Sequence, residues 1–416
     1  MTLGWSLWAG KSPAFGFLGG MEEMFDPADP AFLADPYPVF ARLRAAGELH
    51  RHPTLGRNGG ELLVAVSHRM SSAVLRHRTM GRVWSDVAPA GTFGAFNLLH
   101  RNSLLECEGP RHARLRGLVS SAFARGHVQR LRPEVTRLAG ELVDGLASRI
   151  ADGGTGDLVA ELAESLPVRV IAELLGVPVD DHELLNRWSH AIVKMYEPDR
   201  DPARGTAAEA ASAEFSGYLR ALAADRAVRP RSDLISDLVA ARLTEDELVG
   251  TAVLLLMAGH EATVNVLANG VRALLGHPAQ WARLRADRSL LPSAVEELVR
   301  FDSPLQLFER TVLADTELAG LPLRAGQTVA ALLGAAARDP AVFDTPDELD
   351  VGRSPNPHLG FGAGVHYCLG APLARIEVAA ALDALLDRLP GLVPVGAAVR
   401  RREFVIRGLE SLPVTI

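Results

Sequence analysis

The sequence predicts a mainly α-helical protein with a smaller β region. Three observations carry that expectation. Helical periodicity returns again and again across residues 128–225, in Leu131 to Leu146, Leu158 to Leu175 and Leu184 to Met195. Thr244-Glu245-Asp246-Glu247 forms a capping box, and the apolar pattern behind it meets no stop signal until Gly276 and Pro278. Strand-like runs are few and short, at Leu62 to Val66 and within Glu317 to Leu333.

Composition narrows the function. The 416 residues are 48% hydrophobic, enough for a large core, and carry a formal net charge of −7, which argues against a nucleic-acid partner. The two cysteines, Cys107 and Cys368, allow neither a disulfide framework nor a cysteine-rich zinc site, so a reducing cytoplasm is the expected location. Residues 1–24 lack the charged start and compact apolar core of a signal peptide and read as a poorly ordered leader. Residues 25–416 then form a single domain. No run of about 18 uninterrupted apolar residues occurs, so no membrane span is expected.

From Phe25 the chain opens on the turn-forming pairs Asp26-Pro27, Asp29-Pro30 and Asp35-Pro36, followed by a short helix at Val39 to Ala46. Leu62 to Val66 reads as a buried strand and Met70 to Arg78 as a helix. Residues 84–103 read as a long loop, either functional or a surface insertion. Pro110 opens a helix on which His112 and Arg116, four apart, share one face. That face suits an anionic ligand or is simply a basic surface. Gly176 to Asp181 and Pro198 to Arg204 read as connections.

The helix from Thr244 to Leu275 spans about 45 Å at ~1.5 Å per residue. Its middle is apolar all round, the mark of a helix crossing a core. Ala258-Gly259-His260-Glu261-Ala262-Thr263 interrupts that apolar stretch with a glycine and polar groups, which is costly without a purpose or marks a kink. Leu291 to Arg300 follows as a helix, with Glu297 and Glu296 as competing partners for Arg300. Glu317 to Leu333 reads as strands around turns at Gly320 and Ala325-Gly326, and Arg338 to Arg353 as a connection rich in Pro and Asp. Phe404 to Ile416 reads as a terminal hairpin turning at Gly408.

Phe361-Gly362-Ala363-Gly364-Val365-His366-Tyr367-Cys368-Leu369-Gly370 precedes a helix running from Ala371 to Leu389. The glycines permit a tight turn, and the helix N-terminus favours a thiolate at Cys368. A thiolate in such a loop is placed to bind a metal centre; a lone cysteine is otherwise a small buried hydrophobe.

This stretch resembles the haem-binding loop of the cytochrome P450 family. The resemblance extends from about Phe25 to the end, with further motifs in the family's order: His112-x-x-x-Arg116, Ala258-Gly259-His260-Glu261, and Glu297-x-x-Arg300 roughly 70 residues before the cysteine. It implies the P450 fold, with haem b (iron protoporphyrin IX) between a long central helix and the cysteine loop. Cys368 is then the iron ligand, and Phe361 limits solvation of its sulfur. His112, Arg116, Arg310 and His366 neutralise the propionates, and Glu297 with Arg300 is a structural pair. Ala258, Leu305, Leu307 and Phe308 line the substrate pocket. Two positions depart from the family pattern. Ala337 stands where Asn is usual, and Ala262 stands where the family has the threonine that helps deliver protons. Thr263, one residue on, is rotated by about 100°. Glu261 is then a proton-relay carboxylate, aided by a hydroxyl of the substrate. The implied activity is a haem-thiolate monooxygenase that inserts one oxygen atom from O2 into a small organic substrate in bacterial secondary metabolism, acting on a polyketide, peptide or terpenoid-like molecule. A non-turnover haem sensor and a peroxide-driven oxidase are the alternatives. Electrons come from NAD(P)H through ferredoxin reductase and a ferredoxin, with Arg111, Arg114 and Arg375 as its docking patch on a monomer.

Overall fold

A computed structural model describes residues 25–56, 60–120, 122–123, 125–198, 201–241 and 243–416. The expected leader at residues 1–24 lies outside them. The helix Glu245–Leu275 runs through the centre. Its start follows the capping box: Thr244 accepts from the Glu247 amide at 3.2 Å, and the Glu247 carboxylate turns back to the Thr244 amide. It ends at Gly276, as expected. By length and apolarity it could cross a membrane, but its side chains are buried inside the protein, as in a core helix. Gly259 is not a kink. A Cβ there would lie 2.5 Å from Ile171 Cγ1, so the glycine lets the helix Ser165–Leu175 pack directly against the centre.

The other helices wrap this axis, including Arg125–Ile150, His182–Val193, Pro202–Val228, Leu291–Phe301 and Ala371–Arg388. One main sheet lies to the side, in the order Leu49–His52, Leu62–Ala65, Thr328–Leu332, Leu307–Val312, Met80–Gly81. Leu62–Ala65 is buried along its whole length and pairs in parallel with Thr328–Leu332, Leu63 opposite Val329. A strand covered on both faces reads as a continuous apolar run, which is why it was visible in the sequence. The glycine turns are also where expected, with Gly320 and Gly326 at φ +87° and +88°.

Several expectations need correction. Residues 84–103 are not one long loop: Gly94–Arg101 is helical, and a 3-10 turn follows at Leu104–Glu106. Asn97 holds the preceding segment to this helix by accepting from the Val87 amide at 2.8 Å and donating to the Val87 carbonyl at 3.1 Å. The pattern over Leu158 to Leu175 is split by a π turn at Val159–Ala163. The connection after Pro198 is shorter than read, because Asp201 caps a helix starting at Pro202. The terminal hairpin pairs Val399–Arg400 with Leu409–Ser411, not two halves of Phe404 to Ile416. Arg400 and Arg407 both donate to buried Asp302, at 2.8 Å each, and this shared carboxylate shapes the intervening loop. Gly408 is not its turn. A Cβ there would meet Asn265 Oδ1 at 1.7 Å, so the glycine is a close approach to the central helix.

Arg300 settles the competition for its side chain. It takes Glu297 through two bonds of 2.7 and 2.8 Å, both residues fully buried, and donates also to the carbonyls of Ala337, Pro346 and Glu348. Glu297 accepts further from Arg353, Asn356 and the Asp350 amide. One ion pair thus gathers the irregular segment 337–356 beneath the cysteine loop. Removing one partner of such a pair strands a buried charge. Arg300→Ala is expected to lower unfolding free energy by about 3–5 kcal/mol in urea denaturation; a loss below about 1 kcal/mol would contradict the role assigned to the pair.

Candidate functional site

The cysteine loop is a tight, hydrogen-bonded turn. Gly362 and Gly364 take φ values of +70° and +72°, a region that favours glycine. The Gly362 amide donates to Leu359 O at 2.8 Å, and the Cys368 amide to Phe361 O at 2.9 Å. At Gly364 a Cβ would lie 2.7 Å from Leu75 O, so the loop is seated on the helix His68–Arg76. Gly370 caps the helix Ala371–Arg388. Burial pushes the Cys368 thiol up; the Gly370 and Ala371 amides pull it back, without prevailing. The two amides at the helix N-terminus act in the direction that favours a thiolate.

Cys368 faces a cavity of about 390 Å³. Its floor includes Phe361, Leu369 and Gly370, and its roof is the central helix at Ala258, Gly259, Glu261, Ala262 and Thr263. Leu305, Leu307 and Phe308 form a side wall, so every expected pocket residue lines one space.

Another wall is cationic. His112, Arg116 and His366 line it; Arg310, on the strand Leu307–Val312, is not part of the lining but lies next to it. Arg116 donates to Tyr367 O at 2.8 Å. His112 Nε2 is buried without a partner among the described residues. Arg310 is 3% exposed and donates to the neighbouring Glu309 carbonyl at 3.0 Å. Burial and the nearby Arg82 guanidinium lower Arg310 to about 10. His366 Nε2 lies 2.6 Å from Glu108 Oε1, and its ring packs on His112 at 4.4 Å. Sequence reasoning missed Arg82, which pairs with Glu106, lies over the Phe308 ring at 5.9 Å and lines the same wall. A single arginine after a short strand carries no spacing signal.

The roof holds a buried carboxylate. Glu261 is 3% exposed, and neither of its oxygens has a hydrogen-bond partner among the described residues. His190 Nε2 and His260 Nε2 lie 3.5 and 3.6 Å from Oε1, and Arg401 lies 3.9 Å from Oε2. Burial would raise this carboxyl, but His260, His190 and Arg401 together hold it below the usual range.

A further lining carboxylate, Glu197, was missed by sequence reasoning. Glu197 accepts from the amides of Phe404, Val405 and Ile406 at 2.7, 2.8 and 3.4 Å, and burial pushes it up to about 7. Beside it, Tyr196 meets His100 Nε2 at 2.9 Å. Three segments far apart in sequence are therefore tied together along the cavity wall. Glu377, on the lower wall, is fully buried without a partner among the described residues, and burial pushes it well above the carboxylate range.

Glu296, considered as a partner for Arg300, instead clamps the loop. It binds Arg375 at 2.6 and 3.0 Å and His358 Nε2 at 3.0 Å; His358 Nδ1 in turn accepts from the Gly360 amide at 3.1 Å. Arg375 also lies 4.5 Å over the Phe361 ring. The other two residues of the expected docking patch, Arg111 and Arg114, share Glu247.

The sequence profile described as Cytochrome P450 matches residues 218–396. The chain is 42% identical over 393 residues to the cytochrome P450 monooxygenase PikC of Streptomyces venezuelae, covering 92% of this chain and 91% of that protein. It is 44% identical over 325 residues to the mycinamicin IV hydroxylase/epoxidase of Micromonospora griseorubida, covering 76% and 80%. Among solved structures, P450BioI in complex with an acyl carrier protein carrying hexadec-9Z-enoic acid aligns with a TM-score of 0.88 at 33% identity, over 93% of this chain and all of that one.

The Glu296 clamp has a pH signature. Burial would raise this carboxyl, but Arg375 and His358 outweigh burial and lower it from 4.5 to about 2. A depressed carboxyl stabilises the fold above its ordinary pKa, and the contribution fades as pH falls toward the folded value. Glu296→Gln is expected to cost about 2 kcal/mol at neutral pH, allowing for the partial exposure of Arg375, with the gap to the native protein closing between about pH 4.5 and 2. Urea denaturation across that range checks it; a gap independent of pH would refute the clamp.

Proposed function

Because this chain belongs to the cytochrome P450 family and is a haem monooxygenase related to enzymes of bacterial secondary metabolism, we propose that Cys368 holds the haem iron and that an apolar, natural-product-sized substrate is oxidised beneath the central helix. The cofactor is haem b, and the electrons derive from NAD(P)H through external partners. The observation that carries the site assignment is a thiol facing the cavity beside a wall rich in basic side chains. Arg310 is 3% exposed and donates to the Glu309 carbonyl, and His112 Nε2 is buried without a partner among the described residues. A buried guanidinium calls for an anionic partner and a buried ring nitrogen for a hydrogen bond, and two propionates meet both needs. The residues present therefore fit the group.

When bound, the haem activates O2, with the thiolate favouring O–O cleavage. The rest of the work falls to the protein. Arg116 and His112, with Arg310 behind the lining, would hold the propionates, with Arg82 and His366 beside them. Phe361, under the Arg375 guanidinium, keeps water from the sulfur. Leu305, Leu307, Phe308 and Ala258 orient an apolar substrate, and Glu197 ties down the cavity wall beside it. Glu261 passes protons into the cavity. Ala262 offers no hydroxyl, Thr263 carries its own from another angle of the same roof, and a hydroxyl of the substrate completes the relay. The apolar lining supports a polyketide or terpenoid-like substrate. We place the protein in the cytoplasm as a soluble monomer, reduced by an acidic ferredoxin. Its docking face is the helix Gly109–Ser120, where Arg111 and Arg114 share one carboxylate and leave excess positive charge.

Two measurements test this reading. Cys368→Ser is expected to abolish the thiolate-type spectrum of the reduced carbonyl adduct; an unchanged spectrum would overturn the ligand assignment. Ala262→Thr supplies the missing hydroxyl in place and is expected to change the ratio of product to released peroxide by about tenfold. An unchanged ratio would remove the case for a substrate-assisted relay.

A further inference from the structure

The relay proposed for Glu261 needs a route to solvent, and the groups around the carboxylate differ in whether they can provide one. Three reach it from three separate elements. His260 comes from its own helix, His190 from the helix His182–Val193, and Arg401 from the segment after Val399–Arg400. Glu164 and Lys194 are the remaining charges nearby. Glu164 binds Arg401 Nη2 at 2.9 Å, and Lys194 faces His190.

His260 leads nowhere. Its side chain is 0% exposed, and its Nδ1 is committed to the Leu256 carbonyl at 2.7 Å. The Arg401 arm reaches Glu164, which is 29% exposed, but a guanidinium does not release its proton in a protein, so this arm cannot conduct. What Arg401 supplies is a fixed positive charge, held by Glu164 and by its bond to Leu409 O at 3.1 Å. His190 is different. Its side chain is 29% exposed, while its Nε2 lies 3.5 Å from Glu261 Oε1, a few tenths of an ångström beyond a usual hydrogen bond and within reach of side-chain motion. An imidazole can take a proton from water on one side and give one up on the other.

We propose that His190 is the proton entry of this enzyme, passing protons from solvent to Glu261 while Arg401 holds that carboxylate in place without conducting. The proposal rests on the reading of Glu261 given above. In each transfer the Nε2–H bond of the imidazolium breaks, an O–H bond forms on Glu261, and solvent returns a proton to the ring. The monooxygenase reaction consumes two protons per O2, so the route runs in one direction. Burial, with Arg401, His260 and Lys194, pushes His190 below its ordinary range, and Glu261 pulls the other way without prevailing. The imidazolium therefore gives up its proton readily, and delivery slows as pH rises above that lowered value.

The test compares His190→Gln, Glu261→Gln and Arg401→Gln in the holoenzyme with ferredoxin and reductase, reading peroxide per product and the effect of heavy water. His190→Gln and Glu261→Gln are both expected to raise peroxide release about tenfold and to enlarge the isotope effect; Arg401→Gln is expected to move the pH profile while leaving the isotope effect in place. Imidazole NMR titration supplies a readout independent of turnover: the His190 midpoint falls in Glu261→Gln, because the neighbouring anion is gone. If His190→Gln keeps native coupling and isotope effect while Glu261→Gln loses both, the entry through His190 is overturned and the relay carboxylate stands. If the His190 midpoint does not move in Glu261→Gln, the pair is uncoupled and the proposal also falls. If Glu261→Gln itself behaves as the native protein, the relay reading falls with it.

Discussion

Everything below the cavity depends on one buried ion cluster. Glu297 and Arg300 have no access to water, so each charge must be met inside the protein. Arg300 meets it with Glu297 and three carbonyls, Glu297 with Arg300, Arg353, Asn356 and an amide. These partners come from segments with no regular structure of their own. The cluster therefore does for residues 337–356 what a hydrogen-bond ladder does for a sheet. The neighbouring Glu296 extends the bracing upward through His358 and Arg375 to the turn that carries Cys368. Two adjacent carboxylates on one helix set the floor of the site.

Above the floor, charge is grouped by position. Basic side chains gather along one wall, near His112, Arg116, Arg82 and Arg310, with Glu106 and Glu108 paired among them, while the roof carries a single acid, Glu261. The remaining lining is largely aliphatic and aromatic. Such sorting suits a cofactor with its anionic groups at one edge, a substrate with little charge, and proton traffic confined to the roof. The wall at Glu197 follows a different rule. Glu197 holds three backbone amides in a place where burial works against its charge, so this tie along the cavity is bought at an electrostatic cost.

Much of the fold was legible because it rests on local physics. The central helix could be bounded to the residue from its capping box and from Gly276. The parallel strand Leu62–Ala65 showed as an apolar run, and the turns at Gly320 and Gly326 showed as glycines. Errors fell where a distant partner decides the outcome. The helix Gly94–Arg101 lies in a stretch of weak propensity held in part by Glu209, whose carboxylate accepts from the Ala95 and Phe96 amides. The terminal hairpin moved because Arg400 and Arg407 converge on Asp302.

By itself the sequence determined the helical frame and the glycine turn around Cys368, which are set by periodicity, capping and backbone freedom acting over a few residues; the motif residues that meet at the cavity were implied by the resemblance to the cytochrome P450 family. Only the tertiary structure decided which charge meets which. It gave Glu297 rather than Glu296 to Arg300, placed His366 on Glu108, and brought His190 and Arg401 to Glu261. The reason is range. A buried charge is stabilised by whatever opposite charge the fold carries to within a few ångströms, and separation along the chain has no bearing on that distance.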